Sequence, residues 1–118
     1  MASASEVVHK FHAAVGGKNF SAARKLLHDD LNFKGPIDTF RNADDYVEAV
    51  KKMSGIVKSV DVKKLFVDGD DVRVLYDMIT NTPVGTAFIS EWFRVKDDKI
   101  SEIRVVFDAR PFAVMFAK

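Results

Sequence analysis

Cysteine is absent from this 118-residue chain, proline occurs three times and tryptophan once. Without thiols there are no disulfides, zinc fingers, iron–sulfur clusters or thiol nucleophiles, so stability has to come from packing alone. Folding a chain of this length buries roughly 65% of its extended surface, enough for one core and one domain over residues 1–118. Neither sign of charge predominates: 18 Lys and Arg face 17 Asp and Glu, a formal net charge of +1. With the signs interspersed there is no basic face, and neither nucleic acid nor a membrane is an expected partner. No uncharged apolar run approaches the ~20 residues of a membrane span, and Met1 to Glu6 shows no basic segment leading into an apolar one. The expectation is a soluble, cytoplasmic protein. Phosphate loops, dinucleotide fingerprints and nucleophile motifs are missing too. Phenylalanine is in excess, with ten residues, more than one sheet–helix interface takes up. An aromatic-lined cavity or a second buried sheet face would absorb the surplus.

The apolar residues Val7, Val8, Phe11, Ala14 and Val15 recur at helical spacing between Ser5, a candidate N-cap, and Gly16-Gly17. Asn19 can cap a second helix with the stripe Phe20, Ala23, Leu26 and Leu27, predicted to end near His28-Asp29-Asp30. Residues 31–33 read as a brief extended piece before Gly35-Pro36. Asn42 caps a third helix that buries Tyr46, Val47, Val50 and Met53 and ends at Gly55. From Ile56 the period falls to two, with strands predicted over 60–67, 72–79, 87–95 and 100–107 and turns at 68–71, 81–85 and 96–99. Helices first and strands last is the segregated α+β pattern, three helices packed on an antiparallel β-meander. Both meander faces are apolar: Ala87, Ile89, Phe93 and Val95 share one parity with Glu91, and Phe88 and Trp92 hold the other. Three helices cover one face. The face bearing Phe88 and Trp92 is therefore expected to meet a second copy in a homodimer, unless residues 112–116 fold over it.

The stretches Val7-Val-His-Lys-Phe-His-Ala-Ala14, Leu26-Leu-His-Asp-Asp-Leu-Asn-Phe-Lys-Gly-Pro36 and Glu91-Trp-Phe-Arg-Val-Lys-Asp-Asp-Lys-Ile-Ser-Glu-Ile-Arg-Val-Val-Phe-Asp108 carry a family resemblance. In this order of elements the chain resembles the cystatin-like α+β cone of the nuclear transport factor 2 superfamily (NTF2-like), with its SnoaL-like polyketide cyclases, ketosteroid isomerases and limonene epoxide hydrolases. The resemblance covers nearly the whole chain, and this frame hosts isomerases, hydrolases, cyclases and plain binders alike. The isomerases' oxyanion tyrosine falls on Phe11, their basic aspartate on Gly35 and their neutral aspartic acid on Glu91, so one carboxyl of three functions is kept. The hydrolases' first aspartate falls on Asp77, but their arginine falls on Leu75, their second aspartate on Val105, and their tyrosine and asparagine on Phe33 and Gly35.

The resemblance makes the face carrying Ile89, Glu91 and Phe93 the pocket wall. A carboxyl stripped of water there suits general acid or base work, or hydrogen-bond donation when protonated. If residues 81–85 form the hairpin loop, Leu75 opposes Glu91, and Arg73 and Asp77 become its diagonal neighbours. Arg73 would hold it ionised; Asp77 would share its proton. Glu91, Asp77 and Arg73 are thus the candidate catalytic residues, with a purely structural Arg73–Glu91 ion pair as the alternative. A strict two-residue turn at Asp97-Asp98 would set Arg104 across from Glu91, whereas the family register turns Ile103, Val105 and Phe107 inward, and the latter is preferred. His9 and His12 read as solvent-facing helix residues without a third metal ligand, so no metal is expected. His28 reads as a helix C-terminal cap or a pocket-mouth residue, and Asp108 as an anchor for Arg110 or Arg104. The expected lining is Phe11, His28, Phe33, Tyr46, Met53, Leu75, Ile89, Phe93, Ile103, Val105 and Phe107. The resemblance implies cofactor-free acid/base chemistry on an apolar carbonyl or epoxide compound; the alternative is a non-catalytic module that binds an apolar small molecule or a partner.

Overall fold

Ser3, not Ser5, opens the first helix, α1 (Ala4–Gly16). Its hydroxyl accepts the Glu6 N–H at 3.2 Å while Glu6 Oε1 accepts the Ser3 N–H at 3.4 Å, a reciprocal box that leaves Ser5 inside the first turn. This computed structural model describes residues 3–116. Asn19 caps α2 (Phe20–Lys25) by accepting from the Ala22 N–H at 3.1 Å. That helix stops short of its predicted end. Leu27 and Leu31, both fully buried, belong to strand β1 (Leu27–Lys34), because an apolar pair four residues apart suits either period. His28 accordingly caps no helix: its Nε2–H donates to the Lys96 carbonyl at 2.6 Å and ties the start of β1 to a distant hairpin.

A two-residue strand, β2 (Thr39–Phe40), pairs back on β1 and precedes α3 (Ala43–Ser54), where Asn42 accepts the Asp45 N–H at 2.8 Å. Then come β3 (Val57–Asp68), β4 (Asp71–Thr80), β5 (Thr86–Lys96) and β6 (Lys99–Val106), followed by a fourth helix, α4 (Arg110–Phe116). The six strands form one sheet in the order β2-β1-β6-β5-β4-β3, antiparallel except where β1 runs parallel to β6. The architecture is the expected α+β cone, with one helix more than predicted. Just before α4, Asp108 takes the Arg110 guanidinium at 2.7 and 2.9 Å, and that ion pair holds its carboxyl down at about 2.

Two local features decide which side chains share a face. The β4–β5 hairpin closes at Thr80, whose N–H and hydroxyl both donate to the Gly85 carbonyl at 2.9 and 2.7 Å. The connection is therefore one residue shorter than 81–85. Val74 rather than Leu75 opposes Glu91, and a one-residue slip sends every β4 side chain to the other face. On the far side of β5, Asp97 and Asp98, with φ of 54° and 62°, make a tight two-residue turn. A bulge between Arg94 and Val95 then shifts the pairing, so that Val105 opposes Glu91 and Arg104 opposes Trp92. The strict turn and the inward Ile103 and Val105 coexist because of that bulge.

Helices α1 to α3 pack on the concave face over a core that includes Val7, Val8, Phe11, Leu27, Leu31, Val72, Val74, Phe93, Ile100 and Ile103. Phe112 of α4 joins Met78 and Ile89, residues of that same face, and stands edge-on to Phe107 at 5.3 Å. The convex face stays open, with Phe66 50%, Phe88 56% and Val106 70% exposed. Among the described residues no helix is long and apolar enough to cross a membrane.

Candidate functional site

Glu91 sits in β5 between Ile89 and Phe93, points to the concave side and is only 6% exposed. Tyr76, next but one to Val74 on β4, shares that face, and its hydroxyl donates to Glu91 Oε1 at 3.1 Å. His12 reaches the same oxygen from α1, with Nε2 3.4 Å away. The imidazole stands edge-on to Phe93 at 5.2 Å and to Tyr76 at 6.1 Å, which fixes its plane. Both contacts end on Oε1, so Oε2 has no partner among the described residues.

Above this carboxyl lies a cavity of about 670 Å³ bounded by α1, α3 and the concave sheet face. Phe11, Phe33, Tyr46, Met53, Ile89, Val105 and Phe107 line it, together with Phe40, Val50, Met78 and Phe112. Tyr46, 5% exposed, lies against Phe33 with ring centres 4.8 Å apart and is stacked on Phe11 at 6.4 Å. Its hydroxyl has no hydrogen bond among the described residues. Since no fully enclosed side-chain oxygen or nitrogen there lacks a partner, that hydroxyl opens into the cavity. Burial pushes the Tyr46 hydroxyl well above the usual tyrosine value, and the nearby Glu91 carboxyl pushes it further. Tyr76 is raised for the same two reasons in the same order. A raised folded-state value means stability that is complete below the unfolded tyrosine pKa, ~10, and lost as pH climbs beyond it. These are the chain's two tyrosines. An absorbance titration should therefore show no tyrosinate signal until the protein unfolds at alkaline pH; ionisation of either residue near pH 10 in the folded state would contradict the enclosure described.

Eight of the residues singled out from sequence meet at this cavity: Glu91, Phe11, Phe33, Tyr46, Met53, Ile89, Val105 and Phe107. Phe93 and Ile103 are fully buried in the packed core and do not line it. His28 lies elsewhere, on the Lys96 carbonyl. Arg73, Leu75 and Asp77 face the convex side, a correction that follows from the shorter hairpin connection. Arg73 donates to Ser90 Oγ at 3.4 Å and Asp77 lies 3.7 Å from Lys63 Nζ, so neither is a partner of Glu91, catalytic or structural. The partners that sequence reasoning missed are Tyr76 and His12. His12 follows Val8 by four residues and precedes Val15 by three, a spacing that belongs to the buried stripe of α1 rather than to its solvent face.

The family model described as SnoaL-like domain matches residues 8–103, and the chain belongs to that family. A crystal structure of a protein from Kribbella flavida superposes with a TM-score of 0.85 at 26% identity, over 92% of this chain and 89% of that one. An NTF2-like protein of unknown function from Cytophaga hutchinsonii gives 0.83 at 28% identity, over 95% and 96%. An LEH-like epoxide hydrolase from M. tuberculosis gives 0.76 at 21% identity, over 98% and 96%, a likeness of fold alone. No curated protein matches the chain.

Proposed function

We propose that this is a cytoplasmic small-molecule enzyme that performs cofactor-free acid/base chemistry on an apolar carbonyl compound or epoxide, with Glu91 as the proton-transferring group. One observation carries the reading: a buried carboxylate at an apolar cavity has one oxygen held by Tyr76 and His12 and the other free. The free Oε2 takes a proton from the ligand, while Tyr76 and His12 hold the carboxyl by its other oxygen. Tyr46, kept protonated by its burial, donates a hydrogen bond to the ligand's oxygen. The position of the isomerases' basic aspartate cannot fill that role here, because Gly35 has no side chain.

The test is proton exchange in deuterium oxide at the methylene of 1-(2-naphthyl)propan-2-one, followed by NMR. The protein should accelerate exchange well above buffer. The loss of hydroxyl and carboxyl groups at positions 11 and 35 favours the second reading, a non-catalytic binding module; binding without faster exchange would establish it and overturn the enzyme.

The convex face is proposed to meet a second copy. Phe66, Phe88, Trp92 and Val106 supply its apolar part, and Arg94–Asp71, Arg104–Glu102 and Lys63–Asp77 pairs put both signs of charge around it, which makes it complementary to itself. Light scattering at micromolar concentration should give a dimer, and Phe88→Glu with Trp92→Glu a monomer. A monomeric parent protein would remove the interface.

A further inference from the structure

The charges around the cavity are separated. Glu91 lies at the sheet, and the other acidic lining residue, Asp38, precedes β2 at one edge of the sheet. Lys58 lies on β3, the opposite edge, and Lys18 joins it in the lining from the turn after α1. Both lysines are exposed and neither has an ion-pair partner among the described residues, unlike Lys51 and Lys63. Lys18 is also held in place: its φ is 58°, unusual for a residue with a side chain, and its N–H donates to the Val15 carbonyl at 3.0 Å. On β3, Val60 and Val62 pair with Met78 and Tyr76 and so share the concave face, yet each is 51% exposed. They form an uncovered apolar ledge that runs from the cavity toward Lys58.

An apolar cavity with a carboxylate inside, an apolar ledge leading out and two unpaired cations at the rim fits a ligand with the reverse polarity. We propose that the ligand is an amphipathic anion, an apolar body bearing a carboxylate, that enters body first and leaves its carboxylate at the rim with Lys18 and Lys58. The opposite orientation would bury a second carboxylate beside Glu91, where the one basic side chain in reach, His12, already sits on Glu91 Oε1. This rests on the small-molecule reading above and narrows its substrate class.

Calorimetry with a matched pair tests it: 2-naphthylacetate against 1-(2-naphthyl)propan-2-one, the same ring system with the carboxylate replaced by a methyl ketone. At low ionic strength the anion should bind about fivefold more tightly, the scale of two exposed charge contacts. Lys18→Gln with Lys58→Gln should abolish that preference, and Lys18→Arg with Lys58→Arg should keep it. Methyl NMR shifts at Val60, Val62 and Ile89 report that both probes sit in this cavity. Equal affinities in the parent protein, or a preference that survives the double Gln variant, would overturn the proposal alone. Binding of neither probe would overturn the small-molecule reading and this one with it.

Discussion

Glu91→Gln should lower the rate of proton exchange by roughly 10²-fold or more while leaving the fold intact. The amide keeps the volume of the carboxylate, and its oxygen can still accept the Tyr76 hydroxyl that now lies 3.1 Å from Oε1. What it cannot do is take a proton at the second position. Removing a charge from a site that is 6% exposed relieves desolvation, so the melting temperature should hold or rise across pH 5 to 8. If Glu91 were one half of a buried structural ion pair, the same change would strand a cation and cost about 3–5 kcal/mol. A loss of that size with exchange unaffected would remove Glu91 from the chemistry.

Phe93→Ala should cost about 3–5 kcal/mol, the range for emptying an aromatic site in a packed core. Phe93 is fully buried and stands between Val72 and Ile103, also fully buried, with the Phe11 ring edge-on at 6.1 Å. Val72 and Ile103 border no open space into which they could relax, and of the three only Phe11 lines the cavity. Met53 already faces the cavity, so Met53→Ala removes fewer contacts and should cost about 1 kcal/mol. Phe93 also holds the His12 ring edge-on, so exchange should fall along with stability in its variant. Urea denaturation of the two variants provides the comparison, and equal losses would mean that the floor beneath Glu91 is not closed.

How far the site could be read from sequence depended on which physical signal each residue carries. Tyr46 and Met53 lie on one stripe of α3, and the helical period alone put them on the buried side. Ile89 and Glu91 follow from alternation along β5. The partners of Glu91 do not, because they depend on the length of one connection. Val72, Val74, Tyr76 and Met78 form the uniformly apolar parity, whereas Arg73, Leu75, Asp77 and Ile79 include two charges, so the pattern of β4 taken alone favours the first set, and the closure of the hairpin at Thr80 and Gly85 brings that set onto the face of Glu91. The β5–β6 register was ambiguous. There the family resemblance favoured Ile103 and Val105 inward, and the physical cause is a bulge that leaves no mark in the alternation. The end of α2 was misplaced because Leu27 and Leu31 satisfy a strand as well as a helix. His12 was legible from its distance to Val8 and Val15 but was outweighed by the preference of histidine for helix surfaces.

The central claim is that Glu91 belongs to the concave cavity and is held there by Tyr76, not by the arginine that shares its neighbouring strand. Two double-mutant cycles by thermal melts test it without any substrate. Glu91→Met, which keeps the volume but has no acceptor for the Tyr76 hydroxyl, combined with Tyr76→Phe should deviate from additivity by about 1 kcal/mol or more, as expected for groups in direct hydrogen-bond contact. Glu91→Gln combined with Arg73→Met should be additive within about 0.5 kcal/mol, because the two side chains lie on opposite faces of the sheet. Coupling to Arg73 and none to Tyr76 would mean that β4 is paired one residue out of the register described, and the site built on it would fall.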